Sequence, residues 1–306
     1  MSTSSPRVTV VMPTLNQARF LERAICSVLD QRYPRLEFIV IDGGSSDDTQ
    51  RLLSLYEPEL SHVESRWDSG PAEAINAGLL HATGDIIHVM DSDDVMPVGT
   101  LDAVVRLMNP ENQPRVDWLV GDLTRIDEHD RTTDLARATA PDSLTDFLMH
   151  DRGLLPSTAS FFRRSLLERH GAFDSSMQFA YGYEMAARLL AAGHRPTLAH
   201  RPLCAQRDHA QSLTRVHVLR QGLEYVHAAE RHGDHMPLSA RYALWRNCQE
   251  RRLIYALAEA ESAADRGKRH LWAQLLRHPW WLGDSRYRQR LAADPGPRPA
   301  AVATAA

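Results

Sequence analysis

Asp91, Asp93 and Asp94 fall within the stretch HVMDSDDVMP, directly after an apolar run, Ile86–Met90. Carboxylates this close repel one another unless positive charge sits among them. Hard divalent cations take carboxylate and phosphate oxygens together, so Mg²⁺ or Mn²⁺ carrying a phosphate suits such a loop. The bland alternative is a solvated acidic turn ahead of a helix. Two further polar segments also leave apolar runs: PTLNQ (Pro13–Gln17) and DGGSSDDT (Asp42–Thr49). Neither contains G-x-G-x-x-G or GK[ST], which argues against a Rossmann dehydrogenase or a Walker-type nucleotide hydrolase. An aspartyl phosphotransferase of the haloacid-dehalogenase kind is equally poorly served. Its D-x-D-x-[TV] loop belongs after the first strand, where this chain reads MPTLN.

The elements that must position these loops alternate. VTVVM (Val8–Met12) reads as a strand. Arg19–Gln31 follows as a helix, with Phe20, Leu21, Ala24, Ile25, Val28 and Leu29 at helical spacing. LEFIVI (Leu36–Ile41) is a second strand. A helix begins near Asp47 and Asp48, whose acidic side chains suit a helix N-terminus. Pro71–Ala82 is a further helix with proline at its start, ahead of the strand IIHVM (Ile86–Met90). This rhythm implies parallel strands joined by right-handed crossovers, with ligands bound beyond their carboxyl ends. All three polar segments leave that one edge. Further on, Val116–Asp122 and Ser157–Phe162 read as strands, Gly182–Gly193 as a helix, and the chain beyond about Val216 as helical.

Composition narrows the class. A net charge of −4 gives no overall positive field to draw the protein to nucleic acid. The three cysteines, Cys26, Cys204 and Cys248, are scattered and form no CxxC pair, which fits a reducing compartment. The N-terminal MSTSSPRVTVVMP lacks a signal-peptide core, and no apolar run approaches the ~20 residues of a membrane span. The expected location is cytoplasmic.

VTVVMPTLNQARFLERAICSVLDQRYPRLEFIVIDGGSSDDT, followed by DSGPAEAINAGLLHATGDIIHVMDSDD, resembles a family 2 glycosyltransferase of the GT-A fold. The similarity runs from Val8 to Ser212. It is carried by the order and spacing of P-T-x-N, Q-x-Y-P, D-G-G-S-x-D-x-T, A-x-N-x-G, A-T-G-D and D-x-D-D. The resemblance implies an α/β fold with a mostly parallel central sheet flanked by helices. It implies a GT-A domain over residues 1–215, with a donor-binding half at 7–110 and an acceptor half at 111–215. A helical C-terminal extension would follow at 216–290, with a disordered tail at 291–306. It further implies a nucleotide-diphosphate-sugar donor, Mn²⁺ or Mg²⁺, a glycan or lipid-linked acceptor, and inversion at the anomeric carbon.

Carried over residue by residue, the resemblance puts Pro13, Thr14 and Asp42 near the base or ribose and Asp68 near the nucleotide or sugar. Asn76 is either a donor-site residue or a packing residue of its helix. Asp91, Ser92 and Asp93 would contact the donor, with the metal held by ligands drawn from Asp93, Asp94 and Asp91. His209 in RDHAQSLT would approach the diphosphate or metal, unless it is an ordinary surface residue. The chain departs from the pattern at FAYGYEMAARLL, where Gly182 stands in place of the aspartate that serves as base. Glu184 is the nearest carboxylate and the candidate catalytic base, Asp174 a more distant one. Glu184 equally suits a helix N-terminal carboxylate balancing the macrodipole. The same departure motivates an alternative, a non-catalytic nucleotide-sugar-binding relative. Lys268–Arg290, with Trp272, Trp280 and Trp281 among basic residues, suits either a helix lying peripherally at the inner face of a membrane or one packed on the domain.

Overall fold

The computed structural model describes residues 5–109, 111, 114–150, 153–262, 274–276 and 278–292. Strands β1 (Val8–Thr14), β2 (Leu36–Asp42), β3 (His62–Ser65) and β4 (Ile86–Val89) are parallel and lie in the order β3-β2-β1-β4. Helices α1 (Ala18–Leu29), α2 (Thr49–Tyr56) and α3 (Pro71–His81) connect them. The register sets Thr14 opposite Asp42 and Asp42 opposite Ser65, while Val89 pairs with Val11. The carboxyl ends of β1, β2 and β4 therefore share one edge, as the alternation in the sequence predicts.

The strands read as unbroken apolar runs because both faces of this sheet are covered. Val8, Val10 and Met12 pack with Leu21, Ile25 and Val28 of α1 on one side. On the other, Ile87 and Val89 join Trp118, Phe162 and the α3 residues Ala72 and Ile75. Each such side chain, fully buried, contributes about 1.5–3 kcal/mol. His88, between the two apolar neighbours of β4, is wholly buried against Phe161, and burial pushes it down to about 4.

Beyond β4 the sheet turns mixed. Its other strands are β5 (Trp118–Ile126), β6 (Thr132–Ala136), β7 (Ser160–Arg163) and β8 (Thr197–Arg207). β7 runs antiparallel to both β4 and β5, β6 antiparallel to β5, and β8 parallel to β5. The helices here are α4 (Thr100–Leu107), α5 (Leu144–His150), α6 (Arg164–His170) and α7 (Tyr181–Ala191). α8 (Leu213–Val216), α9 (Val218–His232), α10 (Leu238–Ser262) and α11 (Ser285–Ala292) complete the expected helical C-terminal part. α9 packs on α7, and α10 on α9 and α5.

The C-terminal basic and aromatic stretch is not one continuous helix. Pro279–Gly283 forms a short 3₁₀ turn ahead of α11. Trp281 is buried with Leu253 and Ala256 of α10, while Trp280 stays half exposed. Trp272 and the tail 293–306 lie outside the described residues. Among the described residues no helix is long and apolar enough to cross a membrane.

Candidate active site

The acidic loop after β4 divides its aspartates between inside and outside. Asp94 is 1% exposed and turned into the protein. Its Oδ1 accepts the Arg207 backbone N–H at 3.0 Å and its Oδ2 faces the Cys204 thiol at 3.5 Å. Asp93 remains accessible, and its Oδ2 lies 3.0 Å from His209 Nε2. Asp91 accepts a hydrogen bond from the Tyr181 hydroxyl at 3.2 Å. Burial first, and the charge of Asp93 second, push the Asp91 carboxyl up to about 7.

The nearest buried cation does not relieve this crowding. Arg207 spends its guanidinium on the Asp93 carbonyl (2.8 Å), the Asp127 carbonyl (2.9 Å) and the Asp130 carboxylate (2.5 Å), stacked over Phe20 at 4.7 Å. It clamps the backbone of the loop and makes its bonds elsewhere than on the Asp91 and Asp93 side chains. His209 also packs on Phe20, and its Nδ1 is buried with no hydrogen-bond partner.

Across the edge, Asp42 ends β2 fully buried. It accepts hydrogen bonds from the Ser45 amide and hydroxyl and from the Ser65 hydroxyl at 2.6 Å, which fold Gly43-Gly44 into a tight turn. The turn is open only because it lacks side chains. A Cβ on Gly43 would come within 2.7 Å of Asp68 Oδ2. Asp68 accepts the Gly70 amide at 3.0 Å, and burial raises its carboxyl above the usual range. Thr14, opposite Asp42, is 5% exposed, and its hydroxyl has no partner. Asp47 receives the first amides of two helices, Thr49 of α2 and Ala18 of α1, and so fixes the floor of this corner.

Glu184 and Gly182 both lie in the first turn of α7. Glu184 is 2% exposed, with Oε2 on Arg188 at 3.0 Å and Oε1 on His232 at 2.9 Å. Both oxygens are engaged, one by Arg188 of α7 itself and one by His232 of α9, a geometry that suits a buried brace. Asp174 is likewise held by Arg231 and the Ser176 hydroxyl. At Gly182 itself there is no room for a carboxylate. A Cβ there would lie 2.4 Å from Ser157 Cβ and 2.6 Å from its hydroxyl.

Of the residues singled out in the sequence, Asp91, Asp93 and His209 share one cluster. Thr14, Asp42 and Asp68 share a second along the same edge, with Pro13 beside Thr14 in β1. Ser92 is buried within the acidic loop. Asp94 is turned inward, where it accepts the Arg207 amide and faces the Cys204 thiol. Asn76 is a tether: its side-chain amide exchanges two hydrogen bonds with the Phe173 backbone, at 2.7 and 3.0 Å. Tyr181, Ser65 and Ser157 escape a reading of the sequence, since no motif marks them. Arg207 has a signal, the R of R-x-H-x-x-S.

The donor set fits a hard divalent cation. Asp91 and Asp93 offer carboxylate oxygens whose mutual repulsion a cation would relieve, and His209 Nε2 lies 3.0 Å from Asp93 Oδ2. Mn²⁺ or Mg²⁺ would be held by Asp93 and Asp91, with His209 orienting the former.

Residues 9–171 match the model for glycosyl transferase family 2. An uncharacterized glycosyltransferase of Mycobacterium tuberculosis is 35% identical over 188 residues, covering 61% of this chain and 70% of its own. The UDP-Glc:alpha-D-GlcNAc-diphosphoundecaprenol beta-1,3-glucosyltransferase of Escherichia coli is 31% identical over 106 residues, 34% of this chain and 42% of its own. Among solved structures, a mannosyltransferase of Pyrobaculum calidifontis in complex with GDP-Man and Mn²⁺ superposes with a TM-score of 0.58. It is 23% identical and covers 94% of this chain and 84% of that one.

Proposed function

The chain belongs to glycosyl transferase family 2, with the GT-A fold, and from that premise we propose that it moves a hexose from a nucleotide-diphosphate donor to a glycan or lipid-linked acceptor, with inversion. The observation that carries the donor half of this reading is the Asp91–Asp93 pair, an ion-ready carboxylate set beside an ordered Gly-Gly turn. A lipid-linked acceptor is suggested by the diphosphoundecaprenol substrate in the name of the E. coli relative.

In this reading Asp91 and Asp93 would hold a divalent cation, which would supply positive charge for the diphosphate leaving group. The chain's own residues hold the geometry. Tyr181 fixes the Asp91 oxygen, and His209 fixes Asp93. Asp42 shapes the Gly43-Gly44 turn so that backbone can approach the nucleoside, and Thr14 presents an unpartnered hydroxyl on the same edge. Asp68 faces the turn from the far side. Arg207 locks the backbone of the acidic loop from behind, which keeps the two carboxylates in place when the donor arrives.

Inversion by single displacement draws on a base for the acceptor hydroxyl, assistance typically worth ~10²–10⁴ in rate. Gly182 provides none. The relatives are glycosyltransferases, so the alternative of a relative that only binds the donor is not favoured, and the base is sought elsewhere than at residue 182. Donor turnover in the presence of lipid-linked and free glycan acceptors tests the proposal: sugar appearing on an acceptor supports transfer. Donor binding with no transfer to any of them, or no nucleotide binding at all, overturns it.

A further inference from the structure

We propose a second metal site, of zinc class, formed by His62, Glu64 and His81 at the outer edge of the sheet. β3 is the last strand on this side. His62 and Glu64, two residues apart on β3, project to the same face. His81 is the last residue of α3 and stacks on His62, ring centroids 3.8 Å apart.

Both imidazoles turn their Nε2 atoms toward one carboxylate oxygen. Glu64 Oε2 lies 3.7 Å from His62 Nε2 and 3.8 Å from His81 Nε2. These separations are too long for hydrogen bonds. All three ligand atoms fall within 4.8 Å of one another. A tetrahedral zinc with bonds of about 2.0–2.2 Å sets its ligand atoms roughly 3.3–3.5 Å apart. The set closes on such an ion by a few tenths of an ångström at the carboxylate and a rotation of the His81 ring. The side chains have that freedom, being 33%, 34% and 44% exposed for His62, Glu64 and His81.

Two features distinguish the cluster from an ordinary polar surface. His62 Nε2 is shielded from solvent and has no hydrogen-bond partner, a nitrogen left bare where it faces the other two ligands. The second Glu64 oxygen lies 3.5 Å from Arg66 Nε, so the carboxylate is held with its other oxygen toward the imidazoles. Two nitrogens and one oxygen select Zn²⁺, Cu²⁺ or Ni²⁺ over the all-oxygen preference of Mg²⁺ and Mn²⁺. The two sites thus sort metals by ligand type. An ion here ties the end of α3 to β3 just before Ser65, whose hydroxyl supports Asp42, so its role is to brace the strand leading into the donor edge.

The test is a calorimetric titration of the full, metal-free chain with Zn²⁺ alone, paired with Co²⁺ absorption to read coordination geometry. One equivalent of zinc binds, the cobalt spectrum is tetrahedral, and the melting temperature rises. His81→Ala, at an exposed position, and Glu64→Gln, at a half-buried one, each weaken zinc binding at least tenfold, while Asp93→Ala leaves it unchanged. Failure of wild type to bind zinc, or binding unaltered by His81→Ala and Glu64→Gln, overturns the proposal.

Discussion

Ser157 occupies the space that a side chain at Gly182 would need, with only 2.4 Å between its Cβ and the place of a Cβ on residue 182. The two positions lie on different elements, the short turn Ser157–Ala159 ahead of β7 and the first turn of α7. A glycine at the base position and a serine against it form one packed unit, and one cannot be changed alone. Gly182→Asp by itself therefore lowers the melting temperature, overpacking of this kind costing about 1–3 kcal/mol. Gly182→Asp with Ser157→Gly makes room, and its transfer rate rises by about tenfold or more over wild type. Steady-state kinetics of the single and double variants check this; a double variant that folds and gains nothing removes the base position from the account.

Asp91 predicts a pH dependence of stability. Its folded-state carboxyl is raised to about 7, against ~3.9 for an unfolded chain. The folded protein holds this proton longer than the unfolded one, so stability from this group is full below pH ~4 and declines as pH rises towards 7. Asp91→Asn keeps the acceptor for Tyr181 and removes the charge. It stabilises the metal-free protein at pH 8 by roughly 1–3 kcal/mol, discounted for partial exposure, and by almost nothing at pH 4. Urea melts at the two pH values read the difference, and an equal effect at both contradicts it.

Glu184→Gln separates brace from base. Glu184 and His232 are buried and Arg188 is partly so, and breaking such an arrangement costs up to about 3–5 kcal/mol. The variant melts well below wild type, while donor affinity and the turnover of the folded fraction change less than about threefold. A stable variant with turnover lowered a hundredfold restores Glu184 to the chemistry.

Arg207→Ala disconnects the acidic loop from Asp127 and Asp130. Nucleotide affinity in Mn²⁺ falls at least tenfold through loss of preorganisation, with no guanidinium nitrogen bonded to the Asp91 or Asp93 carboxylates. Unchanged affinity in this variant, by calorimetry, would show that the loop keeps its shape unaided.

The donor half of the fold was legible because its strands are buried on both faces and its loops are chemically loud. Asp91 and Asp93 announce themselves by crowding, and Asp42 by the glycines after it. β3, β6 and β8 were not legible. β3 reads HVES, without an apolar run, and β8 contains Pro202 and a His200 with φ 51°. The inward turn of Asp94 has no local signal, because its partners, the Arg207 amide and Cys204, arrive from more than a hundred residues away. Glu184 carried one readable sign, Arg188 four residues on, the spacing of a helical ion pair. Its second partner, His232, belongs to α9 and is supplied only by tertiary packing. The same holds for Ser157: nothing in the sequence sets it against Gly182.

The most direct measurement is calorimetric binding of UDP, GDP, dTDP and CDP, each with and without Mn²⁺, to wild type and Asp93→Ala. The account predicts that one nucleotide binds wild type at least tenfold more tightly with Mn²⁺ than without it, and that Asp93→Ala abolishes the metal-dependent part. Binding of none of the four with Mn²⁺ present, or binding equally strong in Asp93→Ala, would contradict the assignment of the Asp91–Asp93 pair as the donor's metal site.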